Sequence, residues 1–180
     1  MSIYFEKPQK HPIDTSNWKM FRVGDLFEVS SGNYTPTTGL IEDPEGINMV
    51  SVTQFNNGVV GRYKREPGFK VYPAGMIVWG KQNPHLFLQM EEFITNQSIY
   101  MFDASSLTKY AALFLIAVIQ KVIEGKYNYG NNLIGSRMEA EQILLPVDSD
   151  GNPDWNWMDK AARDIEERST LIQAIKQNRK

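Results

Sequence analysis

The chain has 180 residues, 42% hydrophobic and 22% charged, with a formal net charge of −2, the composition of one folded domain with an appended element. It has no cysteine and only two histidines, His11 and His85, which excludes disulfide frameworks, thiol nucleophiles and His/Cys metal centres. The longest apolar run, 111–119, is too short for a bilayer span of about 20 residues, and Met1–Lys7 lacks the pattern of a secretory signal, so a cytoplasmic location is expected.

Residues 1–17 are polar, proline-containing and aperiodic, and read as an extended N-terminal arm. From Trp18 the pattern becomes globular. Phe21 to Val29 predicts a strand, a short turn or helix at Gly24-Asp25, and a strand. Ser30 to Gly46 holds no periodic segment and reads as a long loop, a kind that is often functional. Ile47–Val52 and Val59–Tyr63 predict two strands joined at Asn56-Asn57-Gly58, because Asn-Gly suits the positive φ of a hairpin turn. Met76–Trp79, Leu86–Leu88 and Ser98–Phe102 predict further strands, with a polar turn over Lys81–His85.

The period then changes. Leu107, Ala111, Leu115, Val118 and Val122 recur at helical spacing, predicting a buried helix over Leu107–Glu124 with Ser105 or Ser106 as its cap and Gly125 just past its end. Lys126–Ser136 reads as a Gly/Asn/Tyr loop and Ile143–Val147 as a strand. Asn152 is placed as cap of a last helix, with Pro153 in its first position and Asp154 against its positive end. Trp155, Met158, Ala162, Ile165 and Ile172 form a stripe on that helix which needs a partner, from its own domain or another chain. The expected fold class is α+β: a strand-rich domain over 18–153 with a buried helix, then a C-terminal amphipathic, coiled-coil-like helix over 154–180.

Catalytic signatures are scarce. There is no Gly-x-Ser-x-Gly elbow, no phosphate-binding loop at Gly58-x-x-Gly61 and no S-adenosylmethionine fingerprint. Glu124-Gly125-Lys126 and Pro153-Asp154 have the form of a metal-dependent nuclease motif, but in reversed order and with the first at a helix end. A charged helix terminus explains it more simply. Trp79, Phe87, Tyr127, Tyr129, Trp155 and Trp157 could stack on bases, although most suit a core, with Tyr127 and Tyr129 the best candidates for exposure or, alternatively, pins of their loop. Residues 54–83 hold Arg62, Lys64, Arg65, Lys70 and Lys81 against Glu66 alone, a local positive field that suits a polyanion better than the overall charge does. Glu139–Lys180 is acidic on balance. Three polar loops remain: Ser31–Thr38, Thr53–Asn57 with Arg62–Arg65, and Lys81–His85. Asn and Gln match adenine, Arg and Lys match guanine, and Lys, Ser and Thr suit phosphate. The candidates for DNA contact are therefore Thr35, Thr53, Gln54, Asn56, Asn57, Arg62, Lys64, Arg65, Lys81, Gln82 and Asn83.

Trp18-Lys19-Met20-Phe21-Arg22-Val23-Gly24-Asp25-Leu26-Phe27-Glu28-Val29 resembles the opening of a target recognition domain in the specificity subunits of type I restriction–modification systems. Ser31-Gly32-Asn33-Tyr34-Thr35-Pro36 is similar to that family's Ser-Gly-x-Thr-Pro loop with one residue inserted. Ile47–Tyr63, Gly75-Met76-Ile77-Val78 and Asn96-Gln97 match its later signposts in order. The resemblance covers Trp18 to Val147. Beyond it, Leu145–Trp155 departs from the common pattern and looks like the subunits of fused or type IIB-like enzymes. The resemblance implies a non-catalytic half subunit or fragment that recognises one half of a bipartite site in double-stranded DNA. It implies a modification methyltransferase subunit and a restriction subunit as partners. S-adenosylmethionine, ATP and Mg²⁺ would belong to those partners, with no cofactor in this chain and no membrane. Homodimerisation through Met158, Ala162, Ile165 and Ile172 would then complete the bipartite reader. The alternatives are a protein-interaction module, such as an inactive or decoy subunit docking through its last helix, and a small nuclease.

Overall fold

The computed structural model describes residues 13–82, 84–96 and 98–177, side chains beyond residue 170 excepted. Thirteen elements follow one another. They are β1 (Lys19–Arg22), α1 (Val23–Leu26), β2 (Val29–Ser31), β3 (Glu42–Val50), β4 (Val59–Tyr63), β5 (Met76–Gly80), β6 (Phe87–Leu88), β7 (Phe93–Thr95), β8 (Ile99–Asp103), α2 (Lys109–Ile123), α3 (Gly135–Ala140), β9 (Gln142–Leu145) and α4 (Trp155–Gln177).

The apolar run Met76-Ile77-Val78-Trp79 makes β5 the centre. A strand buried on both faces needs apolar residues at every position, not at alternate ones. Ile77 and Trp79 enter one core with Phe102, Leu115 and Ile119. Met76 and Val78 enter a second with Val50, Phe93 and Met101. The sheet β2-β8-β5-β6 therefore lies between α2 and the three-stranded sheet β4-β3-β7. In the latter, β3 pairs antiparallel with β4 and parallel with β7. Strands β1 and β9 pair antiparallel in a small separate sheet. Trp79, Phe93 and Phe102 are the largest fully buried side chains, and Phe27 stacks on Phe102 at 4.6 Å.

The mixed α+β class agrees with the expectation, and several local readings need correction. β3 begins at Glu42, inside the stretch read as loop, because Glu42 pairs with Tyr63 across an irregular register that no local period reveals. β7 is only three residues long and is held by parallel pairing with a distant strand, so it leaves no periodic trace. α3 occupies the end of the expected Gly/Asn/Tyr loop. Helix α2 is capped by Thr108, whose hydroxyl accepts from the Ala111 amide at 3.2 Å, not by Ser105 or Ser106. The Ser105 amide donates instead to Asp103. Gly125 does take the left-handed conformation just past the helix, at φ 74°. Asp154, rather than Asn152, caps α4 by accepting from the Trp157 amide at 2.9 Å, while Pro153 bridges to Val147.

Helix α4 finds its first partner in its own chain. Met158 is fully buried in the α2 core and Ala162 is half-buried. Thr108 donates to Asp159, Tyr110 donates to Glu166, and Arg163 bonds Asp159 at 2.7 Å while lying over the Tyr110 ring. Hydrogen bonds from Arg163 and Thr108 hold the Asp159 carboxyl below its ordinary value. Among the described residues Glu166 is the last on α4 bonded to another element, and Ile165 is 59% exposed. The Ile172 side chain lies outside the described residues.

The stripe read as a single surface thus divides. Met158→Ala should cost about 2–5 kcal/mol in urea unfolding, as expected for a truncated core side chain. Ile165→Ala should stay within about 0.5 kcal/mol under dilute conditions.

Candidate nucleic-acid interface

Three loops meet at the Gly80 end of β5. The Lys81 amide donates to the Ser98 carbonyl at 3.0 Å, and the Leu133 amide donates to the Lys81 carbonyl at 2.8 Å. The buried Trp79 indole donates to the Leu133 carbonyl at 3.0 Å. On the other side, a Cβ at Gly80 would lie 2.9 Å from Val52 Cγ1, so glycine lets the loop after β3 close onto β5. Between these loops is a recess of about 290 Å³ lined by Thr53, Gln54, Gly80, Gln82, His85 and Tyr129.

The candidate residues separate on this scaffold. Gln54 is exposed and Gln82 half-buried; neither side chain makes a hydrogen bond among the described residues. The Thr53 hydroxyl accepts from the Phe55 amide. Lys81 is flanked by Gly80 and Gln82 and forms no ion pair among the described residues. Asn83 lies outside the described residues.

Asn56 and Asn57 serve the turn. Both adopt positive φ, 49° and 54°, within a short 3-10 turn over Asn56–Gly58 rather than a two-residue hairpin. Asn56 donates to the Val59 carbonyl. Asn57 donates to the Leu88 carbonyl, and its own carbonyl accepts from Gln89. Thr35 is only 7% exposed, and its amide donates to the Thr95 carbonyl. Its loop is stitched down further by Thr95 donating to the Asn33 carbonyl and by Tyr72 donating to Asn33 Oδ1. Thr35 is thus a buried anchor of its loop and not a surface side chain.

The arginines sit elsewhere. Arg62 pairs in register with Asn48, about 10 Å along β4 from Val59 at roughly 3.3 Å per residue. It forms an ion pair with Glu91, and Arg65 forms one with Glu92 at 2.6 Å. Asp43 and Glu45 complete that cluster, so four acids surround two arginines. The positive field expected over residues 54–83 counted only chain neighbours, and the fold brings in carboxylates from the turn before β7 and from β3. Lys64 is exposed at this same end of the hairpin.

Two features escaped the sequence reading. One is the convergence of the loop after β3 with that around Tyr129, which depends on long-range backbone bonds. The close approach at Gly80 was its only local signal. The other is the Glu141 carboxylate that holds the 126–134 loop from below. Tyr127 is not a free aromatic: it donates to Glu141 at 2.6 Å, and Lys126 pairs with the same carboxylate at 2.8 Å. Burial and that carboxylate push the Tyr127 phenol up to about 12. Glu124 pairs with Lys121 at 2.7 Å and Asp154 caps α4, so the two halves of the nuclease-like motif have structural roles. Among the described residues no three His, Cys, Asp or Glu side chains are grouped to hold a metal ion, and no helix is long and apolar enough to cross a membrane.

Residues 15–177 match the family model described as the type I restriction modification DNA specificity domain. The chain is 26% identical over 159 residues to the specificity subunit S.BcgI of a type II restriction enzyme from Heyndrickxia coagulans, covering 80% of this chain and 42% of that protein. Its fold is similar to the HsdS subunit from Thermoanaerobacter tengcongensis, with a TM-score of 0.61, 11% identity, and 93% of this chain against 42% of that one. It is also similar to a type I restriction–modification S subunit from M. genitalium, with a TM-score of 0.62, 12% identity, and 91% against 42%. The chain spans about two fifths of the length of these relatives.

A pH titration checks the anchoring of the loop. The raised phenol of Tyr127 stabilises the fold fully below the ordinary tyrosine value near 10, and that contribution is lost as pH rises toward about 12. Ultraviolet titration should show Tyr127 among the late phenols, beside Tyr110, which its bond to Glu166 also raises, and Glu141→Gln should lower the Tyr127 phenol while burial keeps it above its ordinary value.

Proposed function

The chain belongs to the family of type I restriction–modification DNA specificity domains, and from that premise we propose that it reads double-stranded DNA as the recognition element of a restriction–modification complex. The observation that carries the reading is the recess of Thr53, Gln54, Gln82 and Tyr129, with Lys81 beside it. Its amides project from loop backbones held at the end of β5, so only the side chains remain to be ordered when they meet a base edge. Lys81 supplies phosphate attraction and register.

A chain spanning two fifths of its relatives suits one half of a bipartite site. The chain contributes recognition and no catalytic group. Methyl transfer with S-adenosylmethionine falls to a modification methyltransferase subunit, and cleavage with ATP or Mg²⁺ falls to a restriction subunit. The part of α4 from the exposed Ile165 onward pairs with the same segment of a second copy and sets the spacing of the half-sites. Arg62 and Arg65 have no part in contacting DNA, because Glu91 and Glu92 already neutralise them and Asp43 and Glu45 add repulsion.

A second reading has one observation in its favour. The four-acid end of the β3–β4 hairpin repels a polyanion, as expected of a module that docks on a protein through α4. Fluorescence anisotropy on duplex DNA over a salt series separates the two. Lys81→Ala should lower the slope of log K against log salt by about 1. Gln54→Ala and Gln82→Ala should each cost about 1–3 kcal/mol at one base pair with the slope unchanged. Arg62→Ala with Arg65→Ala should alter neither. Loss of affinity in the arginine variants, with the loop variants indistinguishable from wild type, would refute this site.

A further inference from the structure

Tyr129 is 79% exposed, yet the loop that carries it is tightly bonded. The Asn128 and Asn131 backbones exchange hydrogen bonds at 3.0 and 3.1 Å. The Gly130 and Asn131 amides both donate to Asn128 Oδ1. Asn131 donates to the Lys126 carbonyl, and Arg137 donates to both Asn131 Oδ1 and the Asn132 carbonyl. The asparagines that border Tyr129 are consumed in shaping the turn. The ring is left as the side chain that this rigid loop presents beside Gln54 and Gln82.

Resting on the DNA reading above, we propose that this recess reads an A·T base pair, with a glutamine amide on the adenine edge and the Tyr129 ring on the thymine methyl. In a duplex the base faces are stacked away, so an aromatic side chain at a groove has one apolar target, the thymine 5-methyl group. The glutamines supply the complementary half. A carboxamide bonds adenine N7 and N6 together, and that adenine is the partner of the methylated pyrimidine. Amide and ring thus match adjacent features of one major-groove edge. A G·C pair offers no methyl for the ring, and its guanine presents two acceptors where adenine presents an acceptor and a donor. Tyr129 is therefore a specificity-determining residue, and its hydroxyl is dispensable for that role.

The test uses the full chain, alone and with its modification subunit, against duplexes selected from a random pool. Deoxyuridine replaces each thymine of the selected site in turn, removing the methyl alone, and 7-deazaadenine replaces each adenine. Wild type should lose about fourfold in affinity at one thymine, the worth of one buried methyl-sized group, and about fivefold at the paired adenine, the worth of one hydrogen bond. Tyr129→Ala should bind thymine and uracil duplexes equally while keeping its sensitivity to deaza-adenine. Tyr129→Phe should behave as wild type. A selected site with no invariant A·T pair, or undiminished uracil sensitivity in Tyr129→Ala, would overturn the assignment alone. Absence of sequence-selective binding in both forms of the protein would overturn the DNA reading and the assignment with it.

Discussion

A buried indole N–H must find an acceptor, and in this fold Trp79 finds one in the Leu133 carbonyl. The bond joins the central strand to a loop more than fifty residues away in sequence. Leu133 returns a backbone bond to Lys81, so the link runs in both directions. Trp79 also packs against Tyr100 and Phe102 of β8. The end of β5 is in this way fixed from its core, from its neighbouring strand and from the 126–134 loop. The recess exists because these three attachments agree in position. The backbone of such a platform gives up little freedom when it engages a rigid partner, which leaves the side chains as the part still to be ordered.

The same layering separates charge from amide. β3 and β4 form one hairpin, and its two ends have different chemistry. At the loop end, the turn asparagines are absorbed by backbone and Gln54 remains available. At the other end, Arg62 and Arg65 meet Glu91 and Glu92. Exposed ion pairs of this kind add little to stability. Their effect is on the surface potential, where they cancel the positive run that the chain order suggested. A weakly acidic protein can then approach a polyanion by one end, with Lys81 beside the recess and the carboxylates kept away from it.

Much of the architecture was legible because it is local. The continuous apolar run of β5, the 3/4 spacing of α2 and the left-handed glycine after it each follow from residues within one turn or strand. The order of short motifs from Trp18 to Asn96 also pointed to the family. What was not legible depends on distance along the chain. Strand β7 is three residues long and exists through parallel pairing with β3. Thr108 rather than Ser105 is the cap because the helix begins at Lys109, which puts the Ala111 amide within reach of the Thr108 hydroxyl. Of the recess, Gln54 and Gln82, with Lys81 beside them, could be named from polar turns. The ion pairs of Arg62 and Arg65 and the burial of Thr35 could not, since Glu91, Glu92 and Thr95 arrive from other elements. The exposure of Tyr129 on a bonded loop needed knowledge of which asparagines that loop consumes. Met158 shows the same limit on α4: its spacing matched Ile165, and only packing against α2 divides a core residue from a surface one.

The central claim is that this chain confers sequence recognition on a modifying complex. Methylome sequencing of the host tests it most directly, comparing the intact gene, its deletion, and complementation by the gene carrying Gln54→Ala and Gln82→Ala. The account predicts that deletion abolishes methylation at one motif and leaves all others intact, and that the double variant fails to restore that motif while accumulating to the wild-type level. An unchanged methylome on deletion, or full restoration by the double variant, would contradict it.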